Sequence, residues 1–587
     1  MIGQIANILG GAMSKQSIQR VDDIPLILHW LKAMGVQETI DSVWRSHGNW
    51  ERLSLGQLGV LFLTYVLHSL NHRLYGMETW LTEHRLVLEA VTGWQIHPKD
   101  ATDDRLGRML GIFGGDQEQA VMFQQRMGQH MIQAYKLPGK IARYDTTSFS
   151  VHHAPERDGG GFLRFGHSKD HRPDLLQFKQ GLGTLDPAGI PLVTHTLAGN
   201  LADDPLYVGA WQELCATLGH CEFLFIADCK AAAHHTRATI DKGGGSYLFP
   251  LPMTGDTPKQ LQQWVLNPPT PSREIYLPDV LDKEGKPRRL GQGFIVTKEI
   301  KARDGIEHLL KERWLITQSA TYAETQQKAF QKRLEKAQQE IGQLKPKKDE
   351  NLDQFRARAE KILKHRRVEH CLSLQLEETV TRTVKHLGRG RPGPNRPSEV
   401  IEKRQIQVHC RRNEVAIEQE LQLAGWRIFV TNAPQEELSL EDSVRYYRNE
   451  WLVERGFHRF KKGSLPALPI YLQLPERITG LMLLLTVALQ AVTLLEFVMH
   501  RSLAQQGETL PGLVPGNPKM KTQRPTAERI LDQFDNLHLL IKETPTRISA
   551  FIVEELSPLH SRIIQLLGLT PKIYDLTFKK PKFLDSS

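Results

Sequence analysis

The chain is poor in cysteine. It has five in 587 residues, Cys215, Cys221, Cys229, Cys371 and Cys410, and none forms a CxxC pair. So sparse and odd a set supports no disulfide framework and suits a reducing compartment. Cys215, His220, Cys221 and Cys229 cluster in sequence, but their spacing matches no common zinc module, and ordinary thiols are expected. No repeat of fixed period runs along the chain, which excludes solenoids and propellers. The first twenty residues lack a basic n-region and a cleavage site, so no signal peptide is expected. Long apolar runs are scarce as well. The exception, ITGLMLLLTVALQAVTLLEFVM from Ile478 to Met499, has the length of a membrane span. Gln490 and Glu496 interrupt it, and a buried core helix is the expected form.

Nor does the chain carry a large charge excess. Its formal net charge is +9, compatible with a nucleic-acid partner but not sufficient to require one. With 40% hydrophobic and 24% charged residues, it has the composition of a soluble protein of more than one domain.

Apolar residues recur at helical spacing between Ile18 and Leu137, as in IPLILHWLKAMGV and LGQLGVLFLTYVLHSLNHRLYG, with Ser54 placed to cap the second. The pattern changes after Leu137-Pro138-Gly139. KIARYDTTSFSVHH, LLQFKQGLGTL, IPLVTHTLAG and FLFIAD read as strands, with helices after the third and fourth, which predicts a mixed α/β sheet. From Met253 to Gly425 come further strands and two polar, helix-forming segments, the second running from about Asn351 to Leu376. Together they suggest a helical hairpin. HLGRGRPGPNRP breaks the pattern. From Gly507 a Pro-rich linker leads to a C-terminal helical segment.

Three acids stand out. Asp145 lies inside a strand and Asp228 ends the apolar run FLFIAD. Glu454 lies in YYRNEWLVERGFHRFKKG, Tyr446 to Gly463, which reads as one helix. An acid that ends a buried strand is costly to desolvate without compensation. A divalent cation would compensate it; a helix N-cap is the simpler role for Asp228. On the helix, Tyr447, Trp451, Glu454, His458 and Lys461 share a stripe. Glu450 sits one turn before Glu454, a like-charge spacing that destabilises an isolated helix by roughly 0.2–0.5 kcal/mol.

Together, YDTTSF around Asp145, IADCKA around Asp228 and the Glu454 helix resemble the DDE transposases of bacterial insertion sequences. GHSKDHRPDLLQF, GNLADDP and ERGFHRFKKGSLPALPIYL belong to the same resemblance, which spans nearly the whole chain. Transposases of the "IS four" type carry a Tyr, Arg, Glu, Lys signature on this helix. Tyr447, Glu454 and Lys461 fall at the corresponding spacing. Glu450, followed by Trp451, occupies the arginine position, close to the pattern of the "IS sixteen-thirty-four" group.

The resemblance implies an α/β protein with a ribonuclease-H-like mixed-sheet catalytic core. A large β-plus-helical insertion interrupts that core, and helical N-terminal and C-terminal regions flank it. The implied divisions are a helical domain over 1–137 that binds transposon ends, core segments over 138–252 and 426–506, an insertion over 253–425, and a linker and helical region over 507–587. It implies that the first acid lies on the first strand and the second at the end of the fourth, next to it in the sheet. Asp145, Asp228 and Glu454 would be the catalytic metal ligands for Mg²⁺ or Mn²⁺, as a pair of ions. Tyr447, His458 and Lys461 would face DNA. The implied reaction is hydrolysis at the element's ends, then attack of the freed 3′-hydroxyl on target DNA. The implied partners are terminal inverted repeats, target DNA and a second copy of the chain in a bacterial cytoplasm, with no membrane. A related metal-dependent nuclease and a domesticated copy that only binds DNA are the alternatives.

Two further basic stretches bear on DNA. Arg164, Lys169 and Arg172, in LRFGHSKDHRPD, are placed to set cations over phosphates beside Asp145. RGRP, with Arg389 and Arg391, resembles the core of an AT-hook, which lies in a narrow minor groove. A basic linker is the other reading of it.

Overall fold

The computed structural model describes residues 15–45, 50–155, 162–281, 283–301, 308–347, 350–387, 398–543 and 548–576, which form a mixed α/β protein. It divides into two compact units: Met1–Phe249, Ala302–His308 and Tyr446–Ser587 make one, and Pro250–Lys301 and Leu309–Arg445 the other.

In the first unit the strands run in the order Ile190–Ala198, Leu176–Leu185, Ile141–Val151, Leu224–Ala227, Ser246–Pro250. The first two pairings are antiparallel and the last two parallel. Leu176–Leu185 is buried at every position, as expected of a strand covered on both faces. Gly181 on this strand makes room for the Tyr144 hydroxyl, which a Cβ there would meet at 2.1 Å.

The apolar run forms a helix, Pro475–Gln506, with 94% of its most apolar window buried inside the protein. Its polar interruptions all find partners. Gln490 donates to the Pro191 carbonyl at 2.9 Å, Thr486 donates to the Thr194 hydroxyl at 3.2 Å, and Glu496 is paired with arginines. The N-terminal helices pack on it within the same unit. Ser54 caps Leu55–Ser69 in a capping box with Gln57, as its position predicts.

The C-terminal region is not purely helical. His538–Glu543 pairs antiparallel with both Lys15–Arg20 and Ile548–Ile552. In HLLIKE, Leu539 and Ile541 are buried while Lys542 is exposed. That period-two pattern selects a strand. Short helices remain at Ala527–Leu531 and Pro558–Leu566.

In the second unit a run of four antiparallel strands has the order Trp426–Thr431, Leu310–Ser319, Pro287–Ile300, Arg273–Leu281. Helices Ala320–Gly342 and Leu352–Arg366 form the expected hairpin around Phe330, Leu334, Ile341 and Leu363. The second helix stops sooner than expected. Arg367 takes a left-handed conformation with φ 56°, and from Leu372 the chain is a strand. The reason is again periodicity: Leu372, Leu374 and Leu376 alternate with polar residues, a sheet pattern.

Candidate functional site

Geometry begins with register. The Asp145 strand, Ile141–Val151, and the Asp228 strand, Leu224–Ala227, pair in parallel with Tyr144 opposite Ala227. The next residue on each is an aspartate. Backbone pairing alone therefore sets Asp145 beside Asp228 where the parallel ladder ends, on strands about 4.8 Å apart.

Asp228 leaves its strand extended and caps the short helical turn Cys229–Ala232, accepting from the Lys230 backbone N–H at 3.0 Å. The same oxygen accepts from the Tyr207 hydroxyl at 2.5 Å. Asp228 is thus an N-cap, and its carboxylate is also fixed by a side-chain donor. Asp145 accepts from the Thr146 N–H at 2.7 Å and faces the Lys169 ammonium at 3.4 Å. Lys169 also donates to the Thr146 carbonyl. Burial pushes the Asp145 carboxyl above the usual carboxylate range. Lys169 and the Thr146 N–H oppose that shift, while the charge of Asp228 adds to it.

The segment carrying the third acid is not one helix. Leu440–Arg448 ends, Asn449 and Glu450 turn, and Trp451–Lys461 begins. At the joint Glu450 N–H bonds the Tyr447 carbonyl at 3.1 Å, and Leu452 N–H the Asn449 carbonyl at 3.0 Å. Such i→i−3 turns advance about 120° per residue instead of about 100°. The stripe from Tyr447 to Lys461 is therefore interrupted. Glu450 sits at the elbow, half-buried, and accepts from the Tyr447 side chain. Burial raises its pKa, and the charges of Asp145, Glu454 and Asp228 raise it further. Glu450 is thus within electrostatic reach of both aspartates, while Glu454 is exposed one turn further on.

Behind these acids the Glu454 helix is anchored. Leu452, Val453, Phe457 and Phe460 are buried. Arg455 and Arg459 both pair with Glu496 of the apolar helix, and Arg459 also reaches Glu528 at 2.9 Å. A Cβ on Gly456 would meet Leu489 at 3.2 Å, so the helix lies close on its neighbour.

The other anticipated residues spread around this centre. Lys461 bonds Asp170 at 2.8 Å and lies 5.4 Å from the centre of the Phe149 ring. Arg172 is exposed and paired with Asp174 at 2.7 Å. Arg164 bridges Gln177 through its backbone, which places the start of the Lys169 loop. His458 is exposed. Arg389 and Arg391 lie outside the described residues.

Two polar clusters went unanticipated. Lys179, in the fully buried strand, donates to Asp203 at 2.7 Å, and Lys230 pairs with the other Asp203 oxygen. Beneath Asp145, the Tyr144 hydroxyl contacts His195 at 2.9 Å, whose other ring nitrogen faces Glu213 at 3.0 Å. A lysine inside an otherwise apolar strand was the available signal for the first.

Among the described residues no group of three or more His, Cys, Asp or Glu is placed to hold a metal ion. The donor set nevertheless suits a hard one. Mg²⁺ keeps several waters and needs only one or two carboxylates plus substrate phosphate. Two adjacent carboxylates, one raised by burial and held against an ammonium, form a pair that a cation would relieve.

Residues 16–122 match the family described as a domain of unknown function (DUF4277), a domain found in transposase-like proteins. No curated protein matches the chain.

Proposed function

We propose that the chain is a DDE-type DNA transposase with a ribonuclease-H-like core. It cleaves at insertion-sequence ends and joins the 3′-hydroxyl to target DNA. The observation that carries this reading is the parallel register that sets Asp145 beside Asp228 on neighbouring strands. The five-strand order supports it too, since the first and fourth strands of the core are adjacent. The DUF4277 match at the N-terminus agrees with it.

Asp145, Asp228 and Glu454 would hold Mg²⁺ or Mn²⁺. When bound, a pair of such ions supplies Lewis-acid activation of water or a 3′-hydroxyl and steadies the leaving oxygen. The protein's own groups do the rest. Tyr207 and the Lys230 N–H orient the Asp228 carboxylate. Lys169 balances Asp145 until phosphate arrives, and is then free to meet it. Lys461 exchanges Asp170 for a DNA phosphate. Tyr447, His458, Arg164 and Arg172 extend the DNA-facing surface of the first unit.

The test uses the purified full chain and a duplex containing the inverted repeats that flank its gene. Wild type is expected to nick the repeat ends with Mg²⁺ and not with EDTA. Asp145→Ala, Asp228→Ala and Glu454→Gln, checked for folding by circular dichroism, are each expected to lose at least about 100-fold in rate, the scale of a lost charge-stabilising group. Normal cutting by any of the three would remove that residue from the site. No cutting by wild type on such ends would overturn the reading.

A further inference from the structure

In the second unit, strands Leu372–His386 and Ser398–Arg412 form a two-stranded ribbon whose register runs unbroken from Leu372–Arg412 to His386–Ser398. Fifteen residues at about 3.4 Å each make an arm about 50 Å long. Among the described residues, cover is confined to its base and to Ile406, opposite Glu378. Leu372, Leu374, Val408 and Cys410 share one face and pack on the helical hairpin. Further out the same face continues with Val380, Val384 and Val400, which are 44%, 55% and 55% exposed. Every residue from Glu377 to His386 is exposed. A free-standing two-stranded ribbon is marginal in water. Exposed edges are normally blunted by proline, bulges or charged side chains, lysine above all. From Glu377 to Val384 the first strand has no proline, bulge or lysine, and its charges, Glu377, Glu378 and Arg382, are of both signs.

We propose that this strand pairs edge to edge with the same strand of a second copy, antiparallel about a two-fold axis at Val380. The sequence is self-complementary about that point. Val380 meets its own counterpart, Glu378 of each copy faces Arg382 of the other, and Leu376 faces Val384. Thr379 faces Thr381 on the opposite face. Apolar thus meets apolar and acid meets base at each of these positions, the arrangement that stabilises cross-strand pairs. An isologous contact of this kind closes at two copies. Face-to-face packing is excluded by the Arg382–Glu402 pair at 2.8 Å, which lies in the middle of the exposed apolar face and would have to be desolvated. In the edge pairing that ion pair stays at the surface and extends into Glu378 of the other copy. DNA is the weaker occupant. Residues 377–386 and 398–407 hold four acids and four Lys or Arg, so this part of the arm offers phosphates no net attraction.

The experiment needs neither DNA nor metal, so its outcome is independent of the transposase reading. In the full chain carrying Cys410→Ser, Val380→Cys is placed on the axis and Val384→Cys off it. Mild oxidation is expected to give a disulfide-linked dimer with Val380→Cys and at least tenfold less with Val384→Cys. Adding Leu376→Cys to Val384→Cys should restore cross-linking. Arg382→Glu in the Val380→Cys background should abolish the dimer, and adding Glu378→Arg should bring it back. Equal cross-linking at the two single positions, or no recovery in the charge-swapped pair, overturns the proposal. So does a change in affinity for a short DNA duplex with no change in cross-linking, which would assign the arm to DNA.

Discussion

Under the proposed function, Asp145 carries a conflict between stability and chemistry. Its carboxyl is raised by burial and by Asp228, with Lys169 and the Thr146 N–H only partly offsetting the shift. An acid whose folded pKa is raised favours the folded state while protonated. That contribution is lost as pH rises through the folded value, and at neutral pH the ionised group weighs against folding. Asp145→Asn is therefore expected to raise the melting temperature at neutral pH in metal-free buffer while removing activity. The difference should shrink as pH falls and the native carboxyl takes up its proton. Adding Mg²⁺ should raise the melting temperature of wild type and leave the variant nearly unmoved, because only a folded site that binds the ion is stabilised by it. A variant that melts lower than wild type at neutral pH would refute the charge argument. At this scale much was legible in the sequence. An acid inside a strand and another closing an apolar run marked Asp145 and Asp228. What the sequence hid was Tyr207 and the Lys179–Asp203–Lys230 cluster, because those partners come from separate strands and loops that only the sheet register brings together.

Among the elements, the Glu454 helix shows where periodicity stops being informative. Its apolar spacing runs through Asn449 and Glu450 without a proline or glycine, so nothing in the local pattern announces the joint. Its cause is tertiary. Leu452, Val453, Phe457 and Phe460 are buried on one side, while Arg455 and Arg459 are drawn to Glu496 on the apolar helix. Turning at Glu450 lets the two segments meet those demands separately. The glutamate that made a membrane span doubtful is thus the anchor of the candidate catalytic helix. Glu496 also accepts from the Ala527 N–H at 2.9 Å, tying the C-terminal region to the same point. Removing one partner of a buried ion pair costs about 3–5 kcal/mol, and without Glu496 the buried Arg459 keeps only Glu528. Glu496→Ala is expected to lower unfolding stability by that amount and to slow cleavage in proportion to the loosened helix. Chemical denaturation of the full chain measures the first. A loss below about 1 kcal/mol would show the network to be no stronger than a surface ion pair.

Across the whole first unit, the N-terminal helices bear on how separable the parts of the protein are. Helix Asp103–Gly115 and the apolar helix Pro475–Gln506 approach so closely that a Cβ on Gly114 would lie 2.0 Å from the Glu476 carbonyl oxygen, and one on Gly480 2.0 Å from that of Leu110. Trp30 donates to the Ala491 carbonyl at 3.0 Å, and Lys15–Arg20 supplies a strand to the C-terminal sheet. The region matching DUF4277 thus contributes walls to the core that holds Asp145, Asp228 and Glu454. Sequence patterning separates a helical segment from an α/β segment and cannot show this, because helix contacts across hundreds of residues leave no local period. Removing residues 1–137 would strip one side of the apolar helix and expose a contiguous apolar face, which drives association. The truncated chain is expected to aggregate on expression and to bind a hydrophobic dye. Supplying residues 1–137 as a separate chain should recover soluble complex. Gly480→Val in the intact protein should act in the same direction, because overpacking a closed contact costs about 1–3 kcal/mol or more. A truncated chain that is soluble, monomeric and melts cooperatively would show instead that the α/β core folds without its N-terminal helices. The region matching DUF4277 would then be a separable module.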